Sequence, residues 1–269
     1  MNNNKDFMLC ATGDKVRLQS YDDGNYIAEI KDDGRRAFIK KRAGVVSLIG
    51  RDPIGSAQYP ELIRDASKLK DDFILDCEII VRNGTKSDFG LLLSRDRTRD
   101  KFKLGIMIRK YPAVARVFDL IELNGVDLKG KDLMARKTLL NELGLTGSLE
   151  LVGYTEDVSE LCRRALESEE EGIVIKAKKG TYLPNKREWV KVKRVLQSDI
   201  QFNGYEVNPA GITVTDNRFG FRCLVAGQNA TEVKRLIDTQ GFALLEVNHL
   251  GDPGEDGMLR QITFSKIVS

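Results

Sequence analysis

Lys31 stands in "AEIKDDGRRAFIK", residues 28 to 40, directly before Asp-Asp-Gly and two arginines. A lysine attacks as the neutral amine. A free side chain near pKa 10.4 is about three units from that form at neutral pH, a differential of roughly 4 kcal/mol. Cationic neighbours and a partly dry cleft lower this barrier. In "YIAEIK" side chains alternate faces, so Glu29 and Lys31 point one way while Tyr26, Ala28 and Ile30 point the other. Lys31 is therefore expected at a strand end, presented into a cleft.

Three more strand-like segments carry charge in the same manner. "ILDCEIIV" puts Asp76 and Glu78 on one face, "EEEGIVIK" leads a strand with Glu171, and "EWVKVKR" puts Lys191 and Lys193 on one face with Val190 and Val192 behind. Each alone is an ordinary half-solvated strand. Together they deliver charge to a single face inside an apolar framework, which is unfavourable unless a charged ligand compensates it.

The elements that must position these residues follow from periodicity. Alternating segments at 26–31, 36–40, 73–81, 116–122, 172–176 and 189–195 predict strands. "VSELCRRAL" places Val158, Leu161, Cys162, Ala165 and Leu166 on one helical stripe. "KDLMARKTLLNELG" predicts a second helix, with Asp132 as N-cap and Gly144 as its stop. After "VKVKRVLQSD" the texture changes to short strands with Gly, Asn and Asp turns. One helix, "NATEVKRLIDTQG", is read there with an Asn229/Glu232 capping box and Gly241 at its end. This predicts an α+β domain over 1–197 and a small closed barrel over 198–269, of the oligonucleotide/oligosaccharide-binding (OB) type.

Composition bounds the partners. Of 269 residues 41% are apolar, enough for real cores, and 43 basic residues against 40 acidic give a net charge of +3. Affinity for a polyanion must then be local, and cations do cluster: "KKR" at 40–42, "RDRTRDKFK" at 95–103, "KAKK" at 176–179 and "KREWVKVKR" at 186–194. The four cysteines form no C-x-x-C pair, which argues against a zinc site or a disulfide scaffold and favours a reducing compartment. No apolar run suits a membrane span or a secretory signal, so a cytoplasmic protein is expected, in the host-cell cytoplasm if viral. His249 has no companions for a triad or a metal site.

The ordered set of Lys31 with Asp33, Gly34 and Arg36, then "LDCEIIV", "VFDLIELNG", "EGIVIK" and "WVKVK" resembles the ATP-dependent DNA ligases of the covalent nucleotidyltransferase superfamily, over almost the whole chain. The resemblance implies an ATP-grasp-like ligase catalytic domain of antiparallel sheets and helices, followed by an OB-fold barrel. It implies that Lys31, in K-x-D-G-x-R, is the adenylated lysine and that Glu29 reads the adenine amino group. It further implies that Phe118 stacks on adenine, that Glu78 and Glu171 hold Mg²⁺ or Mn²⁺, and that Lys176 lies near the phosphates or DNA. Lys191 and Lys193 would contact the ATP phosphates. Arg51, in "GRD", and Arg260, in "DGMLRQITFSKI", match DNA-contacting positions. Cys77 stands where the family has glycine, the serine before Arg51 is missing, and no terminal arginine/lysine motif is recognisable.

The implied activity is sealing of 5′-phosphate/3′-hydroxyl nicks in duplex DNA through lysyl-AMP and DNA-adenylate, forming AMP and diphosphate, with roles in DNA repair, replication and recombination. A minimal two-domain monomer of phage or small bacterial type is expected. RNA ligases and GTP-using capping enzymes share the lysine motif and remain the alternatives, disfavoured by "VFDLIELNG", "EGIVIK" and the barrel ending. NAD-dependent ligases are disfavoured by the 30 residues before Lys31 and the lack of zinc-ligand cysteines. A non-catalytic nucleic-acid-binding module is opposed by the intact Lys31, Glu171, Lys191 and Lys193.

Overall fold

The computed structural model describes residues 6–13, 15–84, 86–168, 170–250 and 259–268. The expected "GDPGEDG" turn, 251–257, lies outside the described residues. By its contacts the chain divides into two compact units, one of Met1–Glu167 with Gly172–Val192, the other of Ser168–Glu171 with Lys193–Ser269. The 197/198 junction expected from sequence texture falls inside a strand, Val195–Phe202, and the compact units divide instead after Val192.

In the first unit the strands are β1 (Cys10–Thr12), β2 (Tyr26–Ile30), β3 (Arg35–Arg42), β4 (Val45–Gly50), β5 (Phe73–Asn83), β6 (Lys86–Ser87), β7 (Ala113–Leu123), β8 (Val126–Asp127), β9 (Leu149–Leu151), β10 (Tyr154–Thr155), β11 (Gly172–Ala177) and β12 (Trp189–Lys193). The helices are α1 (Pro60–Lys68), α2 (Phe89–Arg97), α3 (Lys101–Lys110), α4 (Leu133–Glu142) and α5 (Val158–Glu167). Two sheets result. The larger runs β4-β3-β5-β7-β8 with β6 beside β5 and β9 beside β7, and the smaller runs β1-β12-β11-β2-β10.

The long strands β5 and β7 are buried at most positions because both faces of the large sheet are covered; Phe73, Leu75, Cys77, Ile79, Ala115 and Val117 all belong to its core. Helix α5 lays Val158, Leu161, Cys162 and Ala165 on β2 and β11, as its stripe predicts. Asp132 caps α4 by accepting from the Ala135 amide at 2.7 Å, and Gly144 adopts φ +61° at the predicted stop. A third apolar cluster joins Phe38 and Ile121 of the large sheet to Trp189 of the small one through Phe7 and Tyr182.

The second unit holds β13 (Val195–Phe202), β14 (Gly204–Asn208), β15 (Gly211–Thr215), β16 (Arg222–Val225), α6 (Gly227–Gln240), β17 (Ala243–Leu250) and β18 (Arg260–Ile267). Its strands form two sheets, β13-β17-β18 and β14-β15-β16, around one core that includes Phe202, Val214, Val233 and Leu245. The capping box expected at Asn229/Glu232 is not formed. Helix α6 begins three residues earlier, with Ala226 at its N-cap, so Asn229 lies within the first turn and Glu232 instead pairs with Arg235 at 2.7 Å. The Gly241 stop holds, in the left-handed conformation at φ +84°.

One buried carboxylate fastens α1 to the loop before β9. Asp65 accepts from the Ser148 amide and hydroxyl, each at 2.9 Å, and from Lys68 and Arg64 at its rim. The Arg64 hydrogen bond, with those of Lys68 and Ser148, holds its carboxyl far below the usual carboxylate range despite burial. Gly147 must stay small, since a Cβ there would meet Asp65 Oδ2 at 2.4 Å. Asp65→Asn is expected to destabilise by about 1–3 kcal/mol, from hydrogen bonds left unmade in a buried place. With its folded pKa depressed, Asp65 contributes stability fully above the unfolded value near 3.9, and loses it as pH falls through the folded value. Urea melts should show the gap between wild type and variant constant at neutral pH and narrowing below about pH 4.

Candidate active site

Strand β2 positions the lysine. Its ladder with β11 continues one residue past Ile30, the Lys31 amide donating to the Gly172 carbonyl at 2.9 Å. Lys31 is half-buried at the strand end, as expected. The chain then reverses into β3 through Asp32, Asp33 and Gly34. A Cβ at Gly34 would lie 2.2 Å from the Ile79 carbonyl oxygen, so the glycine of the motif is demanded by the approach of β5. Asp32 accepts from Arg116 at 3.2 Å, and Arg116 also donates to Glu150, which takes two bonds of 2.7 Å from Arg82. Burial raises the Asp32 pKa, and Arg116 partly opposes the rise.

Arg36 is the hub of the site. Its guanidinium makes a two-pronged pair with Asp76, at 3.0 and 2.7 Å, and donates to the Met8 carbonyl at 2.6 Å. The Phe7, Phe118 and Trp189 rings stand 5.1, 5.4 and 5.2 Å from it. Burial lowers the Arg36 pKa, but Asp76 more than offsets this and raises it. Asp76 is fully buried and also accepts from the Tyr182 hydroxyl at 2.7 Å, while Glu78, two residues on, is half-buried and pairs in register with Arg36 and Arg116. Cys77, in the glycine position, packs into the core with its thiol donating to the Ala37 carbonyl; burial pushes that thiol well up, so it is inert.

Glu29, expected on the same face as Lys31, is 2% exposed and engaged by two lysines. Lys137 of α4 bonds Oε1, and the Lys176 ammonium lies 2.6 Å from Oε2. Lys176 is itself buried, with the Trp189 and Phe118 rings 4.2 and 4.5 Å from its nitrogen. Burial lowers its pKa, Glu29 opposing and Lys137 adding to the fall. Phe118 meets Trp189 edge to face at 5.9 Å.

The first unit thus gathers Glu29, Arg36, Phe118 and Lys176 around Trp189, with Lys31 two residues beyond Glu29. Lys191 lies on β12, paired with Thr12, its carbonyl accepting from the Gly13 amide at 2.9 Å. Glu171 pairs with Lys193 at 3.0 Å in the second unit. Arg51 is exposed just past β4, and Arg260 is exposed at the start of β18. Sequence reasoning missed Lys137, Trp189, Tyr182 and Arg116. A lysine on a helix ordinarily reaches water, so nothing in the α4 pattern marks Lys137 as buried.

Two features bear on cofactors. The Phe118/Trp189 surface offers an aromatic face beside a carboxylate and cations, which suits a base. Glu78 and Glu171 are hard oxygen donors of the kind Mg²⁺ takes one or two at a time, together with water and phosphate oxygens. Among the described residues no group of three or more metal-ligating side chains is assembled.

Comparison with known proteins addresses the family and the fold. Residues 7–193 match the family described as ATP dependent DNA ligase domain. The DNA ligase of Saccharolobus solfataricus is 30% identical over 193 residues, covering 66% of this chain and 32% of that protein. That of Saccharolobus islandicus strain L.S.2.15 is 28% identical with the same coverage. The chain spans about a third of the length of these relatives. Among solved structures, a mycobacterial DNA ligase D complexed with ATP and MES superposes with TM-score 0.61 at 20% identity, over 99% of this chain and 96% of that one. A Lig E DNA ligase gives 0.66 at 16% identity, over 97% and 99%. At these identities the likeness is one of fold, a mixed α+β arrangement shared with ligases. The match spanning the lysine motif, both sheets and β12 decides the matter: the chain belongs to the ATP-dependent DNA ligase domain family.

Proposed function

We propose that the chain takes AMP from ATP onto Lys31 and uses it to seal nicks in duplex DNA. What supports this above all is Lys31 at the end of β2, two residues past a buried carboxylate paired with Lys176, whose ammonium lies against two aromatic rings. The neutral amine of Lys31 attacks the α-phosphorus; a P–N bond forms, the bond to the bridging oxygen breaks, and pyrophosphate leaves with its electron pair. A 5′-phosphate oxygen at the nick then displaces the lysine, which regains its proton. The 3′-hydroxyl attacks that activated phosphate, and AMP departs.

Each residue has a part in this reading. Phe118 stacks on the adenine and Glu29 accepts from its exocyclic amine. Arg36, locked by Asp76, presents a fixed positive charge at the pocket's edge, and Asp33 orients the lysine turn. Lys191 and Lys193, alternate residues of β12, contact the phosphates; Lys191 also disfavours the ammonium form of Lys31. Glu78 of the first unit and Glu171 of the second are each proposed as a carboxylate donor to a divalent cation, which would neutralise charge on the transferred group. The second unit, two three-stranded sheets on one core with a single helix, is proposed to be an OB-fold barrel that closes over the duplex, with Arg260 on its DNA side.

DNA contacts in the first unit are proposed for Arg51 and the α2–α3 elbow; Lys176, expected from sequence near the phosphates or DNA, is instead 1% exposed against Glu29 and the Trp189 and Phe118 rings and is not among them. That elbow exposes Arg97, Arg99, Lys101 and Lys103 beside an open hollow of about 560 Å³. It reaches the lysine motif through Asp96, which pairs with Arg35 at 2.7 Å, and Arg35 donates to the Asp52 and Pro53 carbonyls next to Arg51.

Incubation with α-labelled ATP and Mg²⁺ should leave label on the denatured wild-type chain and none on Lys31→Ala. Label surviving in that variant would assign another nucleophile, and label from GTP alone would move the chain to the capping enzymes. Phe118→Ala should weaken ATP use more than sealing of a pre-adenylated nick, and equal losses would remove Phe118 from the base pocket. Replacing Arg97, Arg99 and Lys103 by alanine should leave self-adenylation intact. It should reduce nick affinity and flatten its salt dependence, by about 0.9 in the log–log slope for each DNA phosphate that is no longer neutralised; an unchanged slope would take the elbow out of the DNA surface.

A further inference from the structure

Lys137 is the part of the pocket that no motif accounts for. It sits on α4, 7% exposed, beside an open hollow of about 400 Å³ lined by Thr138, Asn141, Tyr154 and its own stem. A route to water is therefore at hand, and lysine ammonium groups ordinarily take it. This one turns inward instead, to Glu29 Oε1, with its nitrogen 5.6 Å from the ring of Tyr154, the β10 residue directly across from Glu29. Helix α4 is held firmly enough to sustain this, because its Arg136 makes a fully buried two-pronged pair with Asp119 at 2.8 Å.

We propose that Lys137 is a positioning residue that sets base preference: by holding one oxygen of Glu29 it fixes the carboxylate as an acceptor, so that adenine is taken and guanine refused. The inference rests on the adenylation reading above. A carboxylate has about four acceptor directions, and two lysines at separate oxygens leave room for one more donor. Position 6 of adenine supplies an amine donor. Position 6 of guanine supplies a carbonyl oxygen, which a pinned carboxylate repels. Without Lys137 the carboxylate pairs with Lys176 alone and is free to turn away from the base. Lys176, beside the Phe118 and Trp189 rings, then meets the guanine carbonyl with an N–H that the carboxylate no longer shields. A pocket built to bond a particular polar group discriminates through that bond, so loosening it lowers selectivity more than turnover.

The test uses the full chain and initial rates of covalent labelling from α-labelled ATP and GTP, for wild type, Lys137→Met and Lys137→Arg. Methionine keeps the stem's volume and removes the charge; arginine restores the charge. In Lys137→Met the ATP-to-GTP ratio of kcat/KM should fall by about tenfold or more, through a higher KM for ATP and a lower one for GTP, with kcat for ATP within about twofold. Lys137→Arg should recover most of the ratio. A lysine that merely props the fold would instead lower both nucleotides alike, and that result, or an unchanged ratio, overturns the proposal. Should thermal melts show Lys137→Met unfolded, Lys137→Gln carries the same comparison with the same expected fall. A wild-type chain labelled by neither nucleotide would overturn the adenylation reading, and this inference with it.

Discussion

Arg36 and Asp76 form the contact on which the rest of the pocket depends. The pair ties β3 to β5, and through it four more segments are held. The Met8 carbonyl accepts from the guanidinium, the Tyr182 hydroxyl donates to the carboxylate, and Phe118 and Trp189 close over the cation. A buried ion pair is seldom a large net gain over apolar residues of the same shape, but removing one member leaves the other uncompensated at about 3–5 kcal/mol. Such a pair acts chiefly as a constraint on geometry. Here it locks the guanidinium within the large sheet at the point where Phe118 of that sheet and Trp189 of the small sheet converge on it.

The same device seats α1, α2 and α4. Glu61 of α1 meets the fully buried Arg95 of α2 at 2.6 Å, and the same carboxylate accepts from the Ala113 amide that opens β7. Asp119 of β7 holds Arg136 of α4. Each pair is satisfied by further bonds to backbone carbonyls or amides, which offsets the desolvation of both charges. The cluster of Glu29, Lys137 and Lys176 is different in kind: one buried carboxylate serves two buried ammonium groups. An excess of buried positive charge beside an aromatic face is out of keeping with the one-to-one buried pairs of Glu61 with Arg95 and Asp119 with Arg136.

How much of this is legible in the sequence depends on whether a feature is local. The period-two runs predict β2, β3, β5, β7, β11 and β12 to within a few residues, and the stripe on α5 is where spacing puts it, because alternation and helical periodicity are recorded in neighbouring positions. Gly34 is legible as a motif glycine, though its cause, the Ile79 carbonyl 2.2 Å from any Cβ, lies 45 residues away along the chain and needs the β3–β5 pairing to be known. Asn229 and Glu232 have capping-box spacing, yet Gly227 at φ +60° lets α6 start sooner, and the tertiary seat of Ala230, Val233 and Ile237 decides the register. The two-residue strands β6, β8 and β10 carry too few positions to show any period. Lys137 is illegible for a stronger reason. Its inward turn is set by a carboxylate 108 positions earlier.

That separation has a consequence for how the site is built. The groups proposed to read the base, Glu29, Phe118 and Lys176, sit on strands whose backbones are pinned by ladders on both sides, and such positions vary little in geometry. The groups proposed to meet DNA, Arg51 and the cations of the α2–α3 elbow, are exposed and lie on loops, short helices or their ends. Phosphate contacts tolerate this, since they act through charge that varies slowly with distance, whereas a hydrogen bond to a base edge fails when its acceptor moves by a fraction of an ångström. Burying Glu29 and bracing it from α4 is therefore consistent with a group that must select, and leaving the arginines loose is consistent with groups that must only hold.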